Sequence, residues 1–304
     1  MLKYPKMERL SRVLPHEDEP LYVATEKIDG ANFQIVIDKN GEVSYFRRTD
    51  KLSLDEKFYD FQSAIKDKDI LKLIEKVKGH FIFDEYDEVH LFGELYGGGI
   101  NRRIPYVEKN EVKIKFFDIF LTGEGYKRVF SFYEITNLFK RFELSHLLVP
   151  VVKIGSWEEI WGIDVENLKS LVSYKEDAIS EGIVIKPLNM VVLDYYGSPV
   201  YVKKKSKTFE EISPTKKMDQ KEVHPLEEVF LSYVNENRVL SFFTKEGRIK
   251  YYDQIGLYIK PILDDAWEDF LADYPDAFLD KKKIIGKSGK EVAKILKNML
   301  ESDF

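Results

Sequence analysis

The stretch Glu26-Lys27-Ile28-Asp29-Gly30-Ala31-Asn32 decides how the rest of this chain is read. It lies between two runs of alternating, β-branched residues, 21–27 and 33–38, so Lys27 ends one strand of an antiparallel sheet and a polar turn leads into the next. A lysine in that place suits a covalent nucleophile. Its amine is protonated at neutral pH and attacks only where burial or nearby cations depress its pKa, so its partners should include other lysines and few free carboxylates. Such a set stands far downstream, in Tyr201-Val202-Lys203-Lys204-Lys205-Ser206-Lys207.

Working outward, residues 39–42 form a hairpin turn into a strand at 43–48. A helical period then begins at Ser53, with Glu56 three residues on as a capping partner, runs through Phe58, Phe61, Ile65, Ile70, Leu73, Ile74 and Val77, and closes at Gly79. Strands are predicted at 81–83, 90–95, 112–121, 182–187, 190–194 and 200–205, with helices at 132–142 and 165–174. Residues 213–225 read as a polar linker, and amphipathic patterns at 226–244, 254–274 and 290–300 predict a small helical domain. The expected organisation is α+β: an antiparallel-sheet domain over 1–212, the linker, and an all-helical domain over 226–304.

Composition narrows the classes. With 304 residues, 44% hydrophobic and 14% aromatic, the chain can bury a large core and a smaller one, and nothing in it reads as disordered. There is no apolar run of membrane-spanning length, and the first ten residues mix charge with Pro5 rather than form an apolar leader, so an intracellular, cytoplasmic protein without a membrane partner is expected. The absence of cysteine excludes thiolate zinc sites, disulfide frameworks and cysteine nucleophiles. The net charge of -6 argues against nonspecific coating of nucleic acid, yet seven lysines fall between Lys203 and Lys221, which predicts a basic groove on an acidic protein.

Four further stretches carry chemistry. Lys203 and Lys205 are two apart on a strand and share a face, a two-pronged phosphate clamp, while Lys204 points away; taken alone, the run reads more simply as a solvated edge strand. In Glu181-Gly182-Ile183-Val184-Ile185-Lys186-Pro187 a carboxylate opens a strand of branched aliphatics, where it is either a surface turn or a partner for a hydrated divalent cation. Phe92-Gly93-Glu94-Leu95-Tyr96-Gly97-Gly98-Gly99 ends a strand in a carboxylate and a flexible loop without the spacing of a phosphate loop. In Lys115-Phe116-Phe117-Asp118-Ile119 an aromatic ring is placed either to stack on a base or to fill the core, and Arg47-Arg48 offers a guanidinium for a phosphate or a surface ion pair. The five histidines have no ligand spacing.

The order of these stretches resembles that in the covalent nucleotidyltransferases, the superfamily of polynucleotide ligases and RNA capping enzymes. More closely, the chain looks like the RNA ligase 2 family, typified by the phage T4 enzyme, over nearly its whole length, because residues 92–101 and 232–255 and the helical C-terminal domain are also of that type. The resemblance implies an ATP-grasp-like nucleotidyltransferase domain and an ATP-dependent, magnesium- or manganese-using RNA ligase. Lys27 would attack the α-phosphate of ATP and carry AMP, with Lys203, Lys205 and Glu181 completing the catalytic set and Glu181 organising the metal. Glu26, Asn32, Arg48, Glu94, Phe117 and Asp118 would bind the nucleotide, Phe117 by stacking on adenine and Glu94 by holding the ribose hydroxyls; Asn32 and Arg48 would also position the RNA 5′-phosphate. The expected partner is RNA with 5′-phosphate and 3′-hydroxyl ends, a nicked duplex, handled by a monomer in the cytoplasm, the host's if the source is viral. Aspartate at position 29 varies within that family and is shared with DNA ligases and capping enzymes, which keeps a DNA ligase or a guanylyltransferase as alternatives; a noncatalytic RNA-binding protein is the alternative of another class.

Overall fold

The computed structural model describes residues 2–5, 7–9, 20–48, 50–81, 86–101, 103–108, 110–194, 197–210, 226–275, 277 and 281–302. The chain divides into two compact units, Met1–Thr208 and Phe209–Phe304. The expected linker over 213–225 lies outside the described residues.

The first unit begins with β1 (Glu8–Arg9), β2 (Tyr22–Glu26), β3 (Ala31–Asp38), β4 (Val43–Arg47) and β5 (Lys51–Leu52). After α1 (Phe61–Ala64) and α2 (Lys68–His80) come β6 (Glu88–Gly97), β7 (Val112–Gly123) and β8 (Tyr126–Val129). Then follow α3 (Phe132–Arg141), β9 (Val151–Gly155), α4 (Trp157–Trp161), β10 (Gly182–Pro187) and β11 (Val202–Lys205). The strands form two sheets rather than one, in the orders β1-β11-β10-β2-β9 and β5-β4-β3-β6-β7-β8. Every pairing is antiparallel except that of β1 with β11.

Three apolar layers hold these sheets. One face of the six-stranded sheet, with Phe33, Ile35, Leu91, Phe116 and Ile119, packs against Phe61 of α1, Leu73 and Val77 of α2, and Ile135 and Phe139 of α3. Each such side chain, fully buried, contributes about 1.5–3 kcal/mol. A face of the five-stranded sheet, with Tyr22, Ala24, Ile183 and Ile185, is covered by Ile160 of α4 and by Val165. Between the sheets Tyr4, Phe92, Phe120 and Tyr201 form an aromatic layer, with Phe117 and Val184 against it.

The structure corrects several expected elements. The single helical period from Ser53 does not form one helix: left-handed backbone at Tyr59 and Asp60, φ 49° and 53°, holds off helix until Phe61, α1 ends at Ala64, and Asp67 caps α2 afresh by accepting from the Asp69 amide at 2.8 Å. Ser53 and Glu56 close a turn instead, the Glu56 amide donating to the Ser53 carbonyl at 3.0 Å. Phe81 ends α2, and residues 82 and 83 of the expected strand lie outside the described residues. Residues 165–174 form no helix: the Ser170 hydroxyl accepts from the amides of Val172 and Ser173 at 3.2 and 3.1 Å, satisfying locally the donors a helix needs. Residues 190–194 reduce to one bridge, Leu193 to Pro199, since the Asp194 carboxylate draws the chain into a turn by accepting from the Ser198 amide at 2.7 Å.

The second unit holds α5 (Leu226–Leu231), α6 (Glu236–Glu246), α7 (Ile255–Asp273) and α8 (Lys281–Ser302) around a core of Phe230, Val239, Phe243, Leu263, Phe270, Val292 and Leu296. The helix expected over 226–244 is two, divided where the Asn235 side chain caps α6 by accepting from the Arg238 amide at 3.0 Å. No helix among the described residues is long and apolar enough to cross a membrane.

Candidate active site

Register brings the distant lysines together. Ile183 pairs with Glu26 and Gly182 with Lys205, and the Lys27 amide donates to the Gly182 carbonyl at 2.9 Å, so β2, β10 and β11 end side by side. Glu181, just before β10, then receives both cations: Lys27 Nζ lies 2.9 Å from its Oε2 and Lys205 Nζ 2.8 Å from its Oε1. Burial pushes the Glu181 carboxyl up, but Lys205 and Lys27 together outweigh it and hold the group below the usual glutamate range. Lys27 thus faces one carboxylate that it shares with a second lysine. Gly182 makes the approach possible: at φ 149° it has a backbone that side chains avoid, and a Cβ there would strike the Lys204 carbonyl and stand 2.8 Å from the Lys205 Cα.

Lys203, two residues from Lys205 and paired with Val184, shares its face, whereas the Lys204 ammonium on the opposite face donates to the carbonyls of Trp161 and Ile163 at 2.9 and 2.7 Å. On the facing sheet the register shifts between Phe92, opposite Asp118, and Gly93, opposite Phe116, leaving Phe117 as an extra residue, a β-bulge. Phe117 therefore turns toward the aromatic layer, where Tyr4 meets it edge-on at 5.0 Å between centroids. Asp118 is fully engaged beneath it. Lys186 donates to its Oδ2 at 2.8 Å, Tyr201 to its Oδ1 at 3.2 Å, and Tyr4 to Oδ2. Lys186 also donates to the Phe117 carbonyl at 3.0 Å and stands 4.3 Å from the Tyr201 ring centroid, so Asp118 and Lys186 form a buried strut between the sheets that fixes Phe117.

Glu94 stands opposite Asn32 on one side and Lys115 on the other, and Arg48 follows the last residue of β4 beside this row. Arg47 is instead drawn away by Asp50 at 3.1 Å and Glu56 at 3.6 Å. Gly30 allows the turn after Lys27 to reach this strand, since a Cβ there would strike the Leu95 carbonyl and stand 2.7 Å from the Glu94 Cγ. Burial pushes the Glu94 carboxyl up to about 8, with Glu181 and Asp29 adding to the effect and Lys27 and Lys205 opposing it. The folded chain thus keeps a proton that an unfolded glutamate gives up above pH ~4.3, and this group opposes folding progressively as pH rises through that window. Glu94→Gln, which mimics the protonated form, should raise Tm at pH 9 by about 3 °C and leave it unchanged at pH 4.5. Thermal melts at the two pH values check this, and a variant less stable than the parent at pH 9 would refute the neutral carboxyl.

The carboxylates on either side of Lys27 have partners of their own. Glu26 accepts from the Ser170 hydroxyl at 2.5 Å and the Leu171 amide at 2.7 Å. Asp29 takes a two-pronged contact from Arg103, Nε at 2.9 Å and Nη2 at 2.7 Å, and accepts from Asn101 Nδ2 at 2.7 Å. The sequence reading missed Arg103, Ser170, Tyr4 and Tyr201, and took Lys186 only as a strand residue. Arg103 follows the triple glycine closely and Tyr201 opens the lysine run, but no spacing rule announces either contact.

Among the described residues no three acidic or histidine side chains are grouped so that they could hold a metal ion together. A buried carboxylate is a donor suited to a hard, largely hydrated cation that takes its other oxygens from water. Glu181 is the residue that would hold it.

A family model described as RNA ligase matches residues 20–205. Among solved structures, a lysine-to-alanine variant of Naegleria gruberi RNA ligase with ATP and Mn is 18% identical at a TM-score of 0.50, covering 68% of this chain and 57% of that one. A glutamate-to-alanine variant with AMP and Mn gives 18% and 0.51, over 68% and 57%. The same enzyme with PPi gives 17% and 0.50, over 68% and 57%. At these identities the likeness is one of fold, and this chain spans little more than half the length of those chains.

Proposed function

The chain belongs to the RNA ligase family, and from that premise we propose that it is an ATP-dependent RNA ligase that adenylylates Lys27. The observation that carries the reading is the shared contact of Lys27 and Lys205 on Glu181. In the first step the Lys27 amine attacks the α-phosphorus of ATP, a P–N bond forms, the bond to the bridging oxygen breaks and pyrophosphate leaves. The amine must first lose a proton, and Glu181 at 2.9 Å is an acceptor within reach. Held below the usual range, that carboxylate passes a proton on more readily than it keeps one. AMP then moves to an RNA 5′-phosphate, and a 3′-hydroxyl displaces it to form the phosphodiester.

The remaining chemistry is positioning and charge, as phosphoryl transfer requires. Lys203 and Lys205 neutralise phosphate oxygens, Phe117 stacks on adenine from its bulge, Glu94 meets the ribose hydroxyls, and Asn32 and Arg48 orient the nucleotide and the incoming 5′-phosphate. Asp118 and Glu26 serve the nucleotide through what they hold, Phe117 and residues 170–171 respectively. Magnesium or manganese at Glu181 would supply further charge neutralisation.

We assign residues 1–212 to adenylyl transfer and 226–304 to handling RNA, joined by 213–225, in a monomeric cytoplasmic enzyme that seals nicks in duplex RNA or hybrids. Given ATP, magnesium and a duplex RNA nicked between 3′-hydroxyl and 5′-phosphate, the chain should yield sealed strand, whereas an all-DNA nick sealed equally well would favour a DNA ligase. A chain ending at Ile212 should still label Lys27 while sealing falls about 100-fold, the loss expected when one of two linked binding modules is removed. Full sealing by that shortened chain would overturn the assignment of 226–304.

A further inference from the structure

We infer that Asp29 and Arg103 form a latch that fixes the turn carrying Lys27 to the loop 97–106, and that Arg103 is a positioning residue for the attack by Lys27. The inference rests on the reading of Lys27 as the nucleophile. Arg103 grips Asp29 through two parallel contacts, the geometry that fixes orientation as well as distance. Asn101 adds a third contact to the same carboxylate, and the Asp29 amide donates to the Tyr106 hydroxyl at 2.8 Å. Asn101, Arg103 and Tyr106 thus all meet residue 29.

The latch closes a ring. Glu26, on the other side of Lys27, holds residues 170–171. That segment is tied to the loop in turn, because the Ser173 hydroxyl and the Tyr174 amide donate to the Pro105 carbonyl at 2.7 and 3.3 Å. Lys27 lies between two pinned residues, its own amide bonded to Gly182, so its side chain is the part left to move. The Arg103 guanidinium has a second effect: it occupies the Asp29 carboxylate, which otherwise stands as a rival to Glu181 for the Lys27 ammonium. A surface-stabilising pair would do neither.

The test uses the full chain with Arg103→Lys, which keeps a cation and loses the fork, and Asp29→Asn. At saturating ATP the single-turnover rate of Lys27 adenylylation should fall roughly 10- to 100-fold in Arg103→Lys, the scale of a displaced reacting group. Affinity for α,β-methylene ATP should stay within about threefold, since binding and reaction are being separated. The double variant should be hardly slower than the worse single one, because both act through one contact. A parental rate in Arg103→Lys, or fully additive losses, overturns the latch. Amide hydrogen exchange without nucleotide gives a second, independent readout: in Arg103→Lys the Asp29 amide should exchange faster together with those of Ile100 and Tyr106. Faster exchange confined to the loop overturns the latch whether or not the parent forms an adduct, while a parent that forms none sinks the nucleophile reading alone.

Discussion

Incubated with magnesium and ATP labelled at the α-phosphate, Lys27→Ala and Lys27→Arg should both take up no label, a loss of at least about 1,000-fold against the parent, because covalent catalysis has no substitute for its nucleophile. The pair of variants separates charge from nucleophilicity. Arginine restores a cation opposite Glu181, but its guanidinium stays protonated and cannot attack. Lys205 is no replacement, since its ammonium occupies the other oxygen of Glu181 and its strand lies across β10 from β2. Mass spectrometry of the intact protein reads the result directly. Either variant still carrying AMP would end the assignment of Lys27, and a parent without an adduct would end that of the whole reaction.

The second large effect concerns neighbours in sequence. Lys205→Ala should slow adenylylation by about 100- to 1,000-fold, the cost of removing one preorganised donor from a developing charge, whereas Lys204→Ala should stay close to the parent. Two losses coincide at Lys205: the phosphates lose a cation, and Glu181 is left buried with Lys27 alone, which draws the nucleophile's ammonium more tightly. Lys204 loses only its contacts to two carbonyls on the other face. Single-turnover labelling of both variants, with thermal melts to confirm folding, checks the contrast. Equal effects would overturn the assignment of Lys204 and Lys205 to opposite faces of β11.

The contrast was legible in the sequence because alternation along a strand is local, and so were the β2-turn-β3 unit and the hairpin from Asp38 to Val43. The helix expected over 132–142 stands as α3, begun by a capping box of Ser131 and Glu134, whereas the cap expected at Ser53 and Glu56 starts no helix. The failures share a cause. Phe58, Phe61, Ile70 and Val77 are all buried as their period requires, yet burial is satisfied by a turn, the four-residue α1 and then α2 as well as by one helix, and the left-handed residues Tyr59 and Asp60 leave no mark on the period. The apolar pattern over 165–174 lost to contacts with Glu26 and Pro105, residues remote in sequence. Short strands such as β5 and β9 carry too few residues for a period to show. Of the candidate site, the residue types and their order could be read, but not the partners that aim them: Arg103, Ser170, Lys186 and Tyr201 acquire their roles only through chain crossings.

The extra residue in β7 gives that strand two phases. Ile114 and Phe116 before it, and Ile119 and Leu121 after it, all enter the same helical side, although two residues rather than one lie between the pairs. Phe117 and Asp118, adjacent in the chain, can for that reason both look the other way. A substitution at Phe117 removes one ring; a one-residue deletion there would do something different in kind. It would restore strict alternation by closing the bulge, with Ile119 and Leu121 still on the helical side and Asp118 left alone between Phe116 and Ile119 on the other. The strand is written in a reading frame of side-chain direction, and Phe117 is the inserted letter that lets two neighbours share one face.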